Sequence, residues 1–176
     1  MVVPQLANVD FVASGRLTGP LAGPVVFDVA TRGPLLRQVM VIENTRLDLI
    51  YDRATGTLGI VDHEAVELRR AAGAAVGLFT PFASIEAMAD APLDIVRDGI
   101  DRHLGHDCER YRATGTAGGK PIAVFACLTV EGIPLVAEVI EAGPGLRAEL
   151  TALRVGSAAL EHFDMEGYRA GIDLMR

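Results

Sequence analysis

The chain has 176 residues and a net charge of −7, and 50% of its residues are hydrophobic against 22% that are charged. This length suits one domain, expected over residues 1–176, and the composition is globular rather than disordered. The acidic balance argues against nucleic-acid or anionic-membrane binding driven by charge. The absence of Trp further disfavours a base-stacking surface. No apolar run approaches the roughly 18 residues of a spanning helix, so the chain is not expected to span a membrane.

The first third of the chain alternates apolar and polar residues with a period of two. Val9, Phe11 and Ala13 are separated by Asp10 and Val12, and the alternation continues to residue 17, which is typical of a strand with one buried face. Clusters of Gly, Pro, Asn and Asp separate this strand from further short apolar segments. The regular spacing predicts an antiparallel meander. Its strands are expected at residues 8–18, 25–30, 35–43, 46–51 and 57–61.

The pattern then changes. Residues 64–77 mix helix-forming residues with glycine and stay ambiguous between helix and strand. Thr80 followed by Pro81 is typical of an N-cap and a first helical turn. We therefore expect a short amphipathic helix over residues 81–90 that lies against the sheet, and a further helical turn near residues 157–163. The first helix carries three apolar residues at helical spacing, Phe82, Ile85 and Met88.

Strands resume in the second half, with turn-forming residues between them. Leu146, Ala148 and Leu150 alternate with polar residues in the last of these strands. A long run of antiparallel strands with a helix-containing insertion predicts an α+β fold. We expect one curved, mostly antiparallel sheet, an incomplete β-barrel, wrapped on one or two short helices. The later strands are expected at residues 93–97, 102–112, 122–128, 135–141 and 146–155.

The two cysteines flank a glycine-rich stretch at residues 114–121. If this stretch is a symmetric loop, residues whose numbers sum to about 235 face each other, and Cys108 and Cys127 meet that condition. Opposed Cβ atoms lie roughly 4.5–5.5 Å apart, close to the roughly 3.5–4.5 Å of a disulfide. We therefore predict a Cys108–Cys127 disulfide. The alternative is two buried thiols that do not meet.

A persistent disulfide indicates an oxidising compartment. Residues 1–6 lack the basic and apolar regions of a secretory leader. The chain is therefore either cytosolic or written here without its leader, and the cysteine pair favours an exported, periplasmic protein.

The residues that could carry chemistry do not form a recognisable site. His103 and His106 are three apart in a predicted strand, so they point to opposite faces and cannot share a metal. His106 with both cysteines would suit zinc, but no fourth ligand is apparent. The glycine-rich stretch lacks the first Gly and the final Ser or Thr of a phosphate-binding loop. No nucleophile motif or paired carboxylates are present, so we expect no catalytic residue, no metal, no cofactor and no enzymatic activity.

A spaced motif runs through the second half of the chain. It consists of Gly105, Cys108, Tyr111, Cys127, the sequence Gly-Ile-Pro-Leu at 132–135, Leu150, Thr151, Phe163, Gly167 and Tyr168. It resembles exported bacterial proteins of unknown function whose fold is similar to the periplasmic lipoprotein carriers (LolA-like). The resemblance implies a curved antiparallel sheet with one or more helices plugging its open side. The chain departs from the carriers in its cysteine pair and its single clear helix, and no ligand-site residue of the carriers can be matched to it.

Several strands are apolar on both faces, which indicates either a filled core or a cavity for an apolar ligand. The resemblance implies a cavity for acyl chains between sheet and helix. We expect a periplasmic protein that binds a lipid, a lipoprotein acyl chain or another apolar ligand. The alternative is a structural or protein-interaction module with no ligand, and an unrecognised enzyme or zinc protein comes third. The residues expected to contact the ligand are Phe11, Val39, Val41, Phe82, Ile85, Met88 and Leu150.

Overall fold

The computed structural model describes residues 9–62, 64, 67–72, 76, 80–83, 93–117, 119–141 and 145–156. Within these ranges the chain forms eleven β-strands and one 3-10 turn. The five strands predicted for the first third are confirmed to within three residues at each end, and the last strand has the predicted bounds. The strands are β1 (Phe11–Thr18), β2 (Val25–Arg32), β3 (Leu35–Ile42), β4 (Thr45–Asp52), β5 (Thr57–Asp62), β6 (Glu67–Ala72), β7 (Asp94–His103), β8 (His106–Ala117), β9 (Lys120–Leu128), β10 (Pro134–Glu141) and β11 (Leu146–Val155).

All eleven strands form one sheet, in the order β6-β5-β4-β3-β2-β1-β11-β10-β9-β8-β7. Every neighbouring pair is antiparallel. Each half of the sheet is a run of hairpins, and the pairing of β1 with β11 joins the two halves. The sheet stays open, with β6 and β7 at its edges, and fits a curved half-barrel. The predicted open antiparallel sheet is therefore confirmed.

One face of the sheet, called the inner face below, carries the main core. Buried and exposed residues alternate along β1 and along the first half of β2, as expected for strands that bury one face. The register aligns the buried residues across strands, because Phe27 lies opposite Met40 and Met40 lies opposite Leu47. The core includes the inner-face residues Phe11, Ala13, Leu17, Phe27, Val29, Leu36, Met40, Leu49, Tyr51, Leu58, Ala148 and Leu150.

A buried ion pair fixes which way β3 and β4 face. Arg37 and Asp48 lie on the outer face, and both side chains are 0% exposed. Arg37 donates to both carboxylate oxygens of Asp48, from Nε at 2.8 Å and from Nη2 at 2.9 Å. Turning either strand over would bury these charges unpaired, which is strongly unfavourable. Leu47 and Leu49, on either side of Asp48, therefore face inward.

The predicted Cys108–Cys127 disulfide is confirmed, with the two Cα atoms 5.3 Å apart. The predicted register of the hairpin is wrong. β8 and β9 continue to Ala117 and Lys120, so the turn is shorter than the expected loop and paired residues sum to 237, which places Arg110 opposite Cys127. Cys108 reaches Cys127 diagonally, at the point where β9 ends. The difference of two residues leaves every side chain on the face that the predicted register would give it, because side chains alternate between faces with a period of two.

Two further boundaries differ from the sequence expectation. The ambiguous segment contains β6, which pairs with β5 through all six of its residues. The strand predicted over residues 102–112 is wrong, because the chain reverses at Leu104 and Gly105, so that His103 lies directly opposite His106. Both turn residues have positive φ, 52° and 80° respectively. A Leu in this conformation gives no turn signal in the sequence, because glycine or asparagine is the usual residue there.

The helix expected over residues 81–90 is only partly described. Its described part is a 3-10 turn at Pro81–Ala83, and the short helices of the predicted fold are otherwise not seen among the described residues. The hydroxyl of Thr80, the expected N-cap, donates to Oε1 of Gln38 at 3.0 Å. The remaining residues of this helix, and those of the turn expected near 157–163, lie outside the described residues. Across the described ranges, no helix is long and apolar enough to cross a membrane.

Candidate functional site

An apolar cavity of about 450 Å³ lies on the inner face, where β1 and β3–β6 meet. The floor is formed by deeply buried side chains of four strands, including Leu17, Met40 and Leu49. Partly buried residues form its rim, including Ile42 and Leu47. We call this space the inner cavity. Nine apolar side chains line it, Leu17, Leu21, Met40, Ile42, Leu47, Leu49, Ile60, Ala71 and Leu146.

The core next to the inner cavity is filled by aromatic side chains. The rings of Phe27 and Phe82 pack edge to face, with centroids 5.3 Å apart. Phe27 lies against the backbone of β1 at Gly15, where an added Cβ would overlap the ring and lie 2.6 Å from the carbonyl oxygen of Glu149. Because Gly15 has no side chain, the ring of Phe27 can pack directly against the backbone of β1. Phe27 lies opposite Met40, which lines the cavity.

The charged residues of the inner cavity lie on one side, at β5 and β6. They are Asp62, Arg69 and Arg70. Asp62 accepts a hydrogen bond from the backbone N–H of Glu64 at 2.9 Å. Among the described residues, those that line the opposite side, at β1 and β11, are apolar. The cavity therefore has one polar end and one apolar end, which suits an amphiphilic occupant.

None of the five described residues predicted to contact a ligand lines this cavity. Phe11, Phe82 and Leu150 are buried in the filled core. Val39 and Val41 lie on the outer face, opposite to Met40 and Ile42, and Val41 is 56% exposed. Ile85 and Met88 lie outside the described residues, so their role stays a prediction.

One sequence signal indicates which face of the sheet carries the inner cavity. Residues 39–42 are apolar on both faces, so β3 alone does not show which set faces inward. In β4, however, Leu47 and Leu49 flank the charged Asp48, and this alternation marks the inner set. Pairing β3 to β4 through the tight turn at Asn44 then aligns Met40 with Leu47.

A second cavity of about 310 Å³ lies on the outer face, between the β7–β8 hairpin and strands β9–β11. We call it the hairpin cleft. The tip of the hairpin contacts β11, because Nε2 of His103 lies 2.6 Å from the carbonyl oxygen of Leu150 and must donate to it. The cleft is lined by Asp98, Asp101, Arg102, His103, Cys108, Arg110, Tyr111, Phe125, Ala126, Cys127, Val136, Glu138 and Arg147.

Several charges of the hairpin cleft are paired with one another. Arg147 lies 3.5 Å from Glu138 and 3.7 Å from Glu149, and Glu149 lies 3.8 Å from Nδ1 of His103. The zinc alternative required both thiols, and the disulfide takes them. In the part of the chain that the structure describes, no three His, Cys, Asp or Glu side chains form a metal-binding group. The inner cavity is therefore the stronger candidate site.

The hairpin also carries a perturbed tyrosine. The hydroxyl of Tyr111 donates to Oε2 of Glu109 at 2.6 Å, and Oε1 of the same carboxylate lies 2.5 Å from Arg97. The hydrogen bond to Glu109 raises the pKa of Tyr111 above its ordinary value of 10.0. Burial and the charge of Glu109 raise the pKa further, while the charge of Arg97 lowers it.

The sheet and the inner cavity define a class of protein, an open antiparallel sheet with an apolar recess on its inner face. No family model matches the chain, and no curated protein matches it. Among solved structures, MucB aligns with a TM-score of 0.58 at 14% identity, over 88% of this chain and 56% of MucB. The complex of Pseudomonas aeruginosa MucA and MucB aligns with a TM-score of 0.52 at 13% identity, over 84% and 52%. A LolA superfamily protein from Nitrosomonas europaea aligns with a TM-score of 0.35 at 11% identity, over 92% of each chain.

The likeness to MucB shows the fold alone, because the identity is low. The chain spans about half the length of the MucB chains it matches. The alignment with the LolA superfamily protein is too distant to add to this. The open antiparallel sheet expected from the lipoprotein-carrier resemblance is nevertheless the sheet that this chain forms.

Proposed function

We propose that this protein binds a lipid, a lipoprotein acyl chain or another apolar ligand in the inner cavity. The observation that carries the proposal is the cavity itself, which measures about 450 Å³ and is lined by nine apolar side chains. Ligand pockets typically measure about 300–1,000 Å³ and are mostly apolar. The disulfide supports an exported, periplasmic location, because such bonds persist in oxidising compartments.

The expected affinity follows from the apolar area that a ligand buries. Each methylene group that leaves water contributes about 0.8 kcal/mol, which corresponds to roughly a fourfold gain in affinity. The affinity rises only as long as the added carbons of the ligand's alkyl chain still fit in the inner cavity. A series of alkyl ligands should therefore bind more tightly with each added carbon and then reach a plateau.

The test is a titration of the protein with fatty acids of increasing chain length, in competition with a fluorescent fatty-acid analogue. Ile42→Gln places an amide at the rim of the cavity and should weaken binding about tenfold, since an unpaired polar group is poorly accommodated there. Val41→Gln is the matched control, because this neighbouring residue is exposed on the outer face. Equal effects of the two variants, or no saturable binding by wild-type protein, would overturn the proposal.

A second candidate function is protein interaction without a ligand, and the edge strand β7 favours it. Eight of the ten residues of β7 are exposed. They include the apolar Val96 and Ile100. The structure with a similar fold that is named for MucA and MucB is a complex of two proteins. An exposed edge strand is a surface to which an extended segment of a partner adds.

Hydrogen exchange separates the two functions. A partner on β7 should slow exchange of its amides when the protein is held in an envelope extract of its own host. Ligand binding alone should instead protect the strands around the inner cavity. Unchanged exchange of β7 in the extract would remove the interaction candidate.

A further inference from the structure

The inner cavity carries an arginine whose side chain the register turns inward. Arg69 lies opposite Ile60, and Ile60 lies opposite Leu49 on the inner face. All three residues line the cavity. The next residue, Arg70, lies opposite Gly59 and alternates to the outer face. Of the two arginines that border the cavity, Arg69 is therefore the one on its face of the sheet.

Arg69 stands at the polar end of a cavity whose other end is apolar. The apolar end is formed by Leu17, Leu21 and Leu146. An amphiphile placed here would lay its tail toward these leucines and its head toward β6. Arg69 is exposed and makes other polar contacts, but a guanidinium has five donors and can engage a further acceptor.

An inward-pointing charge on an edge strand has a second explanation. Such a charge blocks edge-to-edge pairing of sheets, and β6 is an edge strand. That role requires no ligand and gives no preference among head groups. The two explanations therefore differ in a measurable way.

We propose that the ligand of the inner cavity is an amphiphile with an anionic head group, a carboxylate or a phosphate, which Arg69 holds at the β6 edge. This inference rests on the proposed function, because it requires the tail to occupy the cavity. A guanidinium binds carboxylate and phosphate oxygens through charge-assisted hydrogen bonds, which an alcohol or an ammonium head cannot replace.

The experiment compares four probes that share one alkyl chain and differ in the head group, namely a carboxylate, a phosphate, an alcohol and a trimethylammonium. The two anionic probes should bind about fivefold more tightly than the alcohol, equivalent to about 1 kcal/mol. The preference should shrink at high salt, because the site is open to solvent. The anionic probe that binds more tightly indicates whether the natural head group is a carboxylate, as in a fatty acid, or a phosphate.

Three variants assign the preference to one residue. Arg69→Gln should bind all four probes with the affinity of the alcohol, and Arg69→Lys should keep the anionic preference because it keeps the charge. Arg16→Gln removes the same charge from the outer face, next to the lining residue Leu17, and should leave the preference intact. A wild-type protein that binds all heads equally, or a preference that Arg69→Gln retains, overturns the inference. Failure of the neutral alcohol to bind at all would instead overturn the proposed function.

Discussion

Removing the disulfide should destabilise the whole domain and loosen one end of it. The perturbation is the double variant Cys108→Ala, Cys127→Ala, and alanine is chosen because both cysteines are buried and alanine introduces no polar group. The two cysteines are 19 residues apart in the chain. A cross-link that closes a loop of this length lowers the entropy of the unfolded chain by an amount worth about 3 kcal/mol.

Urea unfolding at equilibrium measures this loss. The midpoint should fall, and the slope m should rise, because the unfolded chain without its cross-link exposes more surface. The local effect should appear in hydrogen exchange at the tip of the β7–β8 hairpin. This tip extends past the end of β9, where the disulfide and the contact of His103 with Leu150 hold it. In the double variant, exchange of the amides near the tip should therefore speed up relative to wild type more than exchange of the amides of β1–β5.

Two results would refute the reasoning. One is a loss of less than about 0.5 kcal/mol, which is typical of surface substitutions. The other is the detection of two free thiols in denatured, unreduced wild-type protein recovered from an oxidising compartment. Wild-type protein unfolded in the presence of a reductant is the control, and it should match the double variant.

Three further outcomes are expected. Gly15→Ala should cost about 1–3 kcal/mol in urea unfolding, because the added methyl group overlaps the ring of Phe27, and an unchanged midpoint would contradict the packing described. The pKa of Tyr111 is raised in the folded state, so the contribution of its hydroxyl to stability is fully present below pH 10 and is lost as the pH rises through the folded pKa. Tyr111→Phe should lack this loss of stability at alkaline pH, and identical alkaline stability curves for the variant and the wild type would contradict the assignment. Ala71→Leu fills part of the inner cavity and should leave the unfolding midpoint unchanged or higher while weakening alkyl-chain binding about tenfold or more, and unaltered affinity would place the ligand elsewhere.

Most of the sheet could be predicted from the sequence because its strands are short alternating or apolar segments that end in turn-forming residues. β6 could not, since Glu67–Ala72 consists largely of helix-forming residues and becomes a strand through pairing with β5. The hairpin tip at Leu104 was missed because a leucine with positive φ carries no turn signal. In both places tertiary context overrides local preference.

The disulfide and the cavity show different limits of prediction from sequence. Cys108 and Cys127 were paired correctly from a wrong register, because a two-residue slip preserves the face and a disulfide can join diagonal neighbours. The inner cavity exists because the side chains around it leave space unfilled. A local sequence pattern does not reveal such unfilled space. Met40 and Val39 are both apolar, and the register alone decides which one faces the cavity.

The joining of β1 to β11 has a kinetic consequence. All the other strand pairs in the sheet join strands that follow each other in the described chain. Each of those pairs therefore needs only a short loop to close. Gly15 must instead find Leu150 across nearly the whole chain. Loop closure of this length is entropically slow, and proteins dominated by such contacts fold slowly. The two hairpin arrays should therefore assemble early and separately, and their docking through β1 and β11 should limit the rate of folding. A circular permutant that begins at β7 and ends at β6 would turn this seam into one more local hairpin and fold faster.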